Sequence, residues 1–216
     1  MSILIAIDGP SGAGKGFLSR ALCEKYNFAF LDTGLLFRAT ALKSTLQSVA
    51  VDDDKGLIAV VKSLEKSDLE AINELRSEIN GQVASKIAVL PKVRAALVSY
   101  MREFVKQQIK QGGGAVLDGR DIGTIVCPQA DVKFFITATP EERAQRRLKE
   151  LQNRGIPVIF KEVLQEMVQR DRRDRERQDS PLVAAEDAIV IDTSDMSPAD
   201  VVDLASKAVD KALARP

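Results

Sequence analysis

The sequence predicts an α/β protein built on a doubly wound, five-stranded parallel sheet. Five short apolar runs alternate with helical periodicity, which is the pattern of buried parallel strands and their crossover helices. The runs cover 3–7, 28–31, 115–117, 132–136 and 188–191. Polar side chains follow every run, and ligands bind at the carboxyl ends of the strands in this class of fold. We therefore expect the functional residues at that edge of the sheet.

The first run leads into a glycine-rich turn that predicts a phosphate-binding loop. The turn has the spacing Gly9-x4-Gly14-Lys15 between the strand and a helical pattern. Glycines with positive φ let backbone N–H groups face an anion at the helix start, and the lysine adds charge for the β- and γ-phosphates. The predicted phosphate-binding residues are Gly9, Pro10, Ser11, Gly12, Ala13, Gly14, Lys15, Gly16 and Phe17.

The usual hydroxyl ligand for magnesium is missing from this loop. Ser or Thr normally follows the lysine and ligates Mg²⁺, whereas this chain has Gly16 and Phe17. We expect the third run to lie beside the first, where Asp118 can orient Mg²⁺ directly or through water. The alternative is an ordinary turn aspartate before Gly119. The backbone N–H of Phe17 is expected to remain available to the loop.

Composition excludes several classes of function. The 216 residues carry 31 Lys+Arg and 31 Asp+Glu, and this zero formal charge argues against a general nucleic-acid or membrane-surface binder. The absence of histidine excludes an imidazole-centred triad and a His-ligated metal. Cys23 and Cys127 have no metal-type spacing and are predicted to be reduced, buried thiols. Without a leader or a spanning segment, the prediction is a cytoplasmic protein with small-molecule partners.

Two regions are expected to surround the sheet within a single domain, 1–216. More than eighty residues separate the second and third runs, which is too long for a simple crossover. Helical segments at 57–64, 69–89 and 93–109 predict a substrate-side subdomain over 35–111. The second region, about 140–178, begins with a capped helix start at Thr139-Pro140.

An arginine-rich segment, 170–177, ends this second region. It holds five arginines and three acids, and Arg170, Asp174 and Arg177 share one helical face by their spacing. The segment is typical of a lid that closes over phosphates. A salt-bridged surface helix is the equally supported alternative.

Together these segments resemble the bacterial cytidylate kinases, which are nucleoside monophosphate kinases of the P-loop class. The resemblance covers nearly the whole chain and rests on the stretches 7–16, 31–34 with Phe37-Arg38, 91–94, 118–126 and 170–175. It implies transfer of the γ-phosphoryl group of MgATP to CMP or dCMP, which gives CDP or dCDP and ADP. It also implies ATP and Mg²⁺ as cofactors and a monomer.

The resemblance also implies roles for individual residues. Those at the cytosine are Ser85, Arg94 and Asp121, and those at the ribose are Arg170 and Asp174. The residues around the CMP phosphate or base are Thr33, Arg38, Arg120 and Arg177. A lid that closes on ATP carries Arg146, Arg147 and Arg154. The predicted catalytic groups are Lys15, Asp118, Arg120 and Arg170, and Asp118 is the predicted metal residue.

Phe17 and a short insert between 64 and 75 depart from the family pattern, in which the first position is threonine and the insert is longer. Two other functions stay open at this point. Another P-loop small-molecule kinase is disfavoured by Arg94 together with Asp121. A nucleotide-dependent binding protein without turnover fits Phe17, but it needs a partner surface, and the sequence has no large exposed apolar run and no second domain.

Overall fold

The computed structural model describes residues 2–214, so residue 1 and residues 215–216 of the predicted domain lie outside the described part. Within that part the chain forms five β-strands and nine α-helices. The strands are β1 (Leu4–Asp8), β2 (Ala29–Asp32), β3 (Ala115–Gly119), β4 (Val132–Thr137) and β5 (Ile189–Asp192). The helices are α1 (Lys15–Tyr26), α2 (Thr33–Leu46), α3 (Asp54–Lys62), α4 (Ile72–Leu75), α5 (Glu78–Ile87), α6 (Pro91–Lys110), α7 (Pro140–Asn153), α8 (Phe160–Arg175) and α9 (Pro198–Leu213).

The predicted fold class is confirmed. The strands form one parallel sheet in the order β2-β3-β1-β4-β5. The phosphate-loop strand β1 is central, and β3 and β4 pair with it on either side. Ile7 lies opposite Asp118 in the register of β1 and β3. The prediction that the strand of Asp118 lies beside the phosphate-loop strand is therefore also confirmed.

The internal packing divides the chain into two compact units. The first comprises Met1–Leu31 with Gln108–Pro216, and the second comprises Asp32–Gln107. In the first unit, α1 and α9 cover an apolar layer of the sheet. Its fully buried members include Ile5, Ile7, Leu18, Leu22, Phe134, Ile136, Ala205 and Val209. This layer fixes β1 and the start of α1, which together hold the glycine-rich turn.

The second unit is helical, as its sequence predicts. The segment 69–89 is interrupted, however, so the expectation of helical structure throughout it is wrong at residues 70–71, before α4, and at residues 76–77, between α4 and α5. Ser77 has extended backbone, and its hydroxyl accepts the N–H of Asn80 at 3.4 Å, which starts α5. Serine favours such an N-cap because its oxygen satisfies an N–H that has no partner within the helix. The carbonyls of Leu75 and Ser77 accept hydrogen bonds from Arg38.

The other predicted helix boundaries follow their capping residues. Pro91 begins α6, and Gly112, with φ of 75°, follows its end. The hydroxyl of Thr139 accepts the N–H of Glu142 at 3.3 Å and caps α7. No helix within residues 2–214 has the length and apolar character needed to span a bilayer. Cys127 is buried, but Cys23 is only partly so.

Candidate functional site

The glycine-rich turn joins β1 to α1 at the carboxyl edge of the sheet. Gly9 and Gly14 have φ of 145° and 99°, which L side chains rarely adopt. A Cβ on Gly9 would lie 1.9 Å from the carbonyl oxygen of Ile136, so only glycine fits there. Apart from the immediate neighbours of Gly14, no atom of the described residues lies within 4 Å of its Cβ position. The turn therefore has an open side on which an anion fits.

Lys15 begins α1 and is buried, with 8% of its surface exposed. Its Nζ donates to the carbonyl oxygen of Pro10 at 2.9 Å. Burial is the main cause that lowers the pKa of Lys15 to about 7, and the charge of Arg120 adds to it, while Asp118 opposes it. An incoming phosphate supplies further negative charge and favours the ammonium form. The arrangement therefore suits a lysine that binds an anionic ligand in its charged form.

Asp118 is the one predicted metal residue, and it lies buried near the end of β3. Its charge raises the pKa of Lys15, and its Oδ2 would lie 3.7 Å from a Cβ on Gly16, the residue after Lys15. Within residues 2–214, no three His, Cys, Asp or Glu side chains are grouped to hold a metal. A single carboxylate fits Mg²⁺ when water and substrate phosphates supply the other ligands. The residues present therefore fit a metal that arrives with a nucleotide.

Asp8 ends β1, immediately before the glycine-rich turn, and was not predicted as a site residue. Its Oδ1 accepts the N–H of Ile122 at 2.8 Å, and its Oδ2 accepts the N–H of Gly123 at 2.7 Å. These residues open the π-helical turn Ile122–Val126, which follows Asp121. Burial raises the pKa of Asp8 to about 6 even though the two N–H groups lower it. Asp8 is the polar residue at the end of the first apolar run, and this position was the sequence signal that could have identified it as a candidate site residue.

Asp174 is the centre of an arginine cluster. It accepts from Nε of Arg120 at 3.0 Å and from Arg177. Burial raises the pKa of Asp174, but Arg120, Arg177 and Arg170 together hold it below its usual range. The expectation that Arg177 shares a helical face is wrong, because α8 ends at Arg175. The bend after the helix brings its guanidinium to Asp174 instead.

Arg143 connects three segments and was not predicted as a site residue. Only 2% of it is exposed, and its guanidinium donates to Ala138 O at 2.9 Å, to Ser11 O at 3.1 Å and to Asp171 at 2.5 Å. Ser11 belongs to the glycine-rich turn, whereas Asp171 belongs to α8. Arg143 is next to Ala144 on the inner stripe of α7, which is the signal that could have found it.

The three arginines predicted for the lid have different environments. Arg146 donates to Oγ1 of Thr193 at 2.9 Å and to its carbonyl at 2.7 Å. The same hydroxyl donates to Ala13 O at 3.1 Å, so Arg146 is linked to the glycine-rich turn. Arg147 pairs with Glu150 on its own helix at 2.9 Å. Arg154 is exposed at the end of α7.

In the second unit, the predicted residues lie on three helices. Arg38 on α2 donates to the carbonyls of Leu75 and Ser77 at 2.8 and 3.1 Å. Arg94 on α6 is buried, and its Cζ lies 5.5 Å from the ring centroid of Phe37. The remaining two are Thr33, buried at the start of α2, and Ser85, half-buried on α5.

Phe17 occupies the first turn of α1, and 51% of it is exposed. Its N–H donates to the carbonyl oxygen of Gly14 at 3.1 Å. The expectation that this N–H remains available to an anion is therefore wrong, because the turn uses it. The exposed ring does not belong to the apolar layer of the sheet, to which its neighbour Leu18 contributes.

A phosphate loop that follows the central strand, with a buried lysine and an arginine cluster, defines a P-loop kinase. Comparisons with known proteins agree. A family model described as cytidylate kinase matches residues 5–211. The chain belongs to the cytidylate kinase family, and the resemblance predicted from its motifs is confirmed.

Curated relatives are similar over nearly the whole chain. A cytidylate kinase of Cereibacter sphaeroides is 46% identical over 97% of this chain and 96% of that protein. One from Paramagnetospirillum magneticum is 49% identical over 91% and 92%, and one from Rhizobium meliloti is 45% identical over 99% and 98%.

Solved structures agree with the fold. A sugar kinase from Janibacter has a TM-score of 0.54 at 13% identity, with coverage of 97% of this chain and 95% of that chain. A protein from Thermus thermophilus has a TM-score of 0.51 at 20% identity, with coverage of 99% of both chains. At these identities the similarity shows the fold alone.

Proposed function

We propose that this protein transfers the γ-phosphoryl group of MgATP to CMP or dCMP, giving ADP and CDP or dCDP. Family membership together with the glycine-rich turn and its buried Lys15 is the observation that carries the proposal. Phosphoryl transfer requires positioning and positive charge more than a strong base. A chain without histidine can provide both.

On the donor side, the turn from Gly9 to Gly16 holds the ATP phosphates, and Lys15 neutralises charge on the migrating group. When bound, Mg²⁺ would neutralise charge on the ATP phosphates, and Asp118 would hold it directly or through water. The predicted lid, about 140–178, carries Arg146, Arg147 and Arg154 towards ATP. Arg146 is best placed for this role, because Thr193 links it to Ala13.

On the acceptor side, Asp121 reads the cytosine amine. A buried carboxylate accepts from an amino group, whereas the carbonyl of uracil at that position is repelled. Arg170 and Asp174 contact the ribose, and Arg120 and Arg177 lie near the acceptor phosphate or base. In the second unit, which contains most of the predicted 35–111 subdomain, Thr33, Arg38, Ser85 and Arg94 contact CMP. Catalysis rests on Lys15, Asp118, Arg120 and Arg170.

An acceptor panel tests this proposal. We expect ADP to form from ATP with CMP or dCMP, and to form much more slowly with UMP, AMP or GMP or with ATP alone. Better turnover of AMP or GMP than of CMP would contradict the proposed acceptor. The cytoplasmic location expected from the sequence and the monomeric state implied by the resemblance stay predictions.

A further inference from the structure

The chain uses one carboxylate to join the donor side to the acceptor side of the first unit. Asp8 precedes the glycine-rich turn directly, and both of its oxygens accept N–H groups from the turn that follows Asp121. Asp121 is the residue before that turn, but its own side chain makes no capping hydrogen bond there. Asp8 therefore caps this turn from a different strand.

The two hydrogen bonds restrain the backbone next to the proposed base reader. Ile122 and Gly123 follow Asp121 immediately, and a carboxylate that accepts both N–H groups fixes their position and direction. Gly123 is also closely packed, since a Cβ there would lie 3.2 Å from Cδ of Lys133 and 3.4 Å from Oδ2 of Asp8. Side-chain direction at Asp121 depends on this backbone, and a displacement of about 1 Å can lose much of a site's activity.

We propose that Asp8 is a positioning residue for recognition of the acceptor base: it orients Asp121 through the turn Ile122–Val126. The proposal rests on the proposed function, because it takes Asp121 as the group that reads cytosine. Asp8 is buried, with 4% of its surface exposed, and the like charge of Asp121 raises its pKa while the opposite charge of Lys15 lowers it.

The test is Asp8→Asn, which keeps the side-chain volume but removes the charge and turns one acceptor into a donor. We expect the preference for CMP over UMP in kcat/KM to fall about tenfold, the scale of one charge-assisted hydrogen bond. KM for ATP should change less than about threefold, because the glycine-rich turn itself is intact. Equal changes in the CMP and ATP parameters, or an unchanged preference, would overturn the proposal.

Asp131→Asn is the matched control. Oδ2 of Asp131 accepts the N–H of Leu4 at 2.7 Å, so it makes the same kind of bond at the opposite end of β1. This variant should leave the CMP/UMP preference unchanged. If it lowers the preference as much as Asp8→Asn does, the effect belongs to the strand and the proposal is wrong.

Two further variants keep the test decisive. If Asp8→Asn does not fold, Gly123→Ala displaces the second donor while the carboxylate stays, and an unchanged preference in that variant overturns the proposal. The double variant Asp8→Asn with Asp121→Ala should show no lower preference than Asp121→Ala alone, because both act through one group. Additive losses would show that Asp8 acts elsewhere.

The failure of this inference is distinguishable from the failure of the proposed function. If the wild type does not prefer CMP, or if Asp121→Ala keeps the preference, the proposed base reader is wrong. If Asp121→Ala removes the preference and Asp8→Asn does not, only the role of Asp8 is wrong.

Discussion

Two regions of the first unit bury charged side chains, and the pKa of the central carboxylate shifts in opposite directions in the two. The strand-end region consists of Asp8, Lys15 and Asp118, and the helix-end region consists of Arg120, Arg170, Asp174 and Arg177. Asp8 and Asp174 are almost equally buried, at 4% and 3% exposure. Burial raises the pKa of Asp8 to about 6, whereas guanidinium groups hold the pKa of Asp174 below its usual range. The charged partner of each carboxylate, and not its depth of burial, therefore decides the direction in which its pKa shifts.

This difference has a consequence for stability. A buried group whose pKa moves towards its neutral form opposes folding when it is charged, while one held in its charged form by partners supports folding. The strand-end region therefore keeps its charges at a cost in stability, which is common where charge serves a ligand. The helix-end region stabilises the fold as well as carrying proposed site residues.

The largest expected effect is in the strand-end region. Lys15→Met should lower kcat by roughly 10²–10⁴, since it removes charge aimed at the migrating phosphoryl group. Lys133→Met is the control, because Lys133 is equally buried but pairs with Asp187 at 2.9 Å. It should change kcat less than about threefold. Steady-state kinetics measures both, and a kcat for Lys15→Met within tenfold of wild type would contradict the role.

In the helix-end region, Asp174→Asn should lower the free energy of unfolding at pH 7 by about 3–5 kcal/mol, because Arg120 and Arg177 lose their partner. The pKa of Asp174 is lowered from 3.8, so its contribution is present above that pH and is lost as pH falls through the folded value. Denaturant unfolding of wild type and variant measures the gap between their free energies of unfolding at each pH. A gap that does not narrow below about pH 4 would contradict this account.

Asp8→Asn should show the opposite dependence on pH. The pKa of Asp8 rises from 3.8 to about 6 on folding, so protonated Asp8 favours the folded state below 3.8 and this contribution is lost as pH rises through about 6. The stability of the wild type relative to the variant should thus fall by about 3 kcal/mol across that interval. Denaturant unfolding between pH 4 and 7 measures it. A relative stability that rises across the interval would show that Asp8 resembles Asp174.

The sequence predicted the sheet because its signals are local. Each strand is a short apolar run, and the glycine-rich turn has fixed spacing, so their positions follow from neighbours along the chain. Thr139 and Pro91 set helix starts for the same reason. The interruption at Ser77 was missed, although Ser77 is a good N-cap, because Arg38 stabilises that break from α2, 39 residues earlier in the chain.

The sequence proposes site residues most directly where one residue type has one chemical use. Lys15 and Asp118 follow from the motif and from the strand end. Asp8 and Arg143 were missed as site residues because their roles depend on partners far away in sequence, 114 residues away for Asp8 and Ile122 and 132 for Arg143 and Ser11. Spacing along one helix cannot show such contacts. At Arg177 the spacing correctly suggested that Asp174 is a neighbour, but the two residues do not share a helical face, because α8 ends at Arg175.

The smallest expected effect concerns Phe17, which replaces the usual hydroxyl beside the strand-end region. The wild type should be active, because phosphate binding rests mainly on Lys15 and on main-chain donors of the glycine-rich turn. The ring is half-exposed and outside the apolar layer, so Phe17→Thr should raise kcat/KM by no more than roughly tenfold, the scale of one modest charge-assisted hydrogen bond. Phe17→Val has the shape of threonine without the hydroxyl and should leave kcat/KM close to wild type. A gain shared by both variants would mean that the ring obstructs the site. If the wild type binds ATP without turnover and only Phe17→Thr restores it by orders of magnitude, the native protein is a nucleotide-dependent binder and not a kinase.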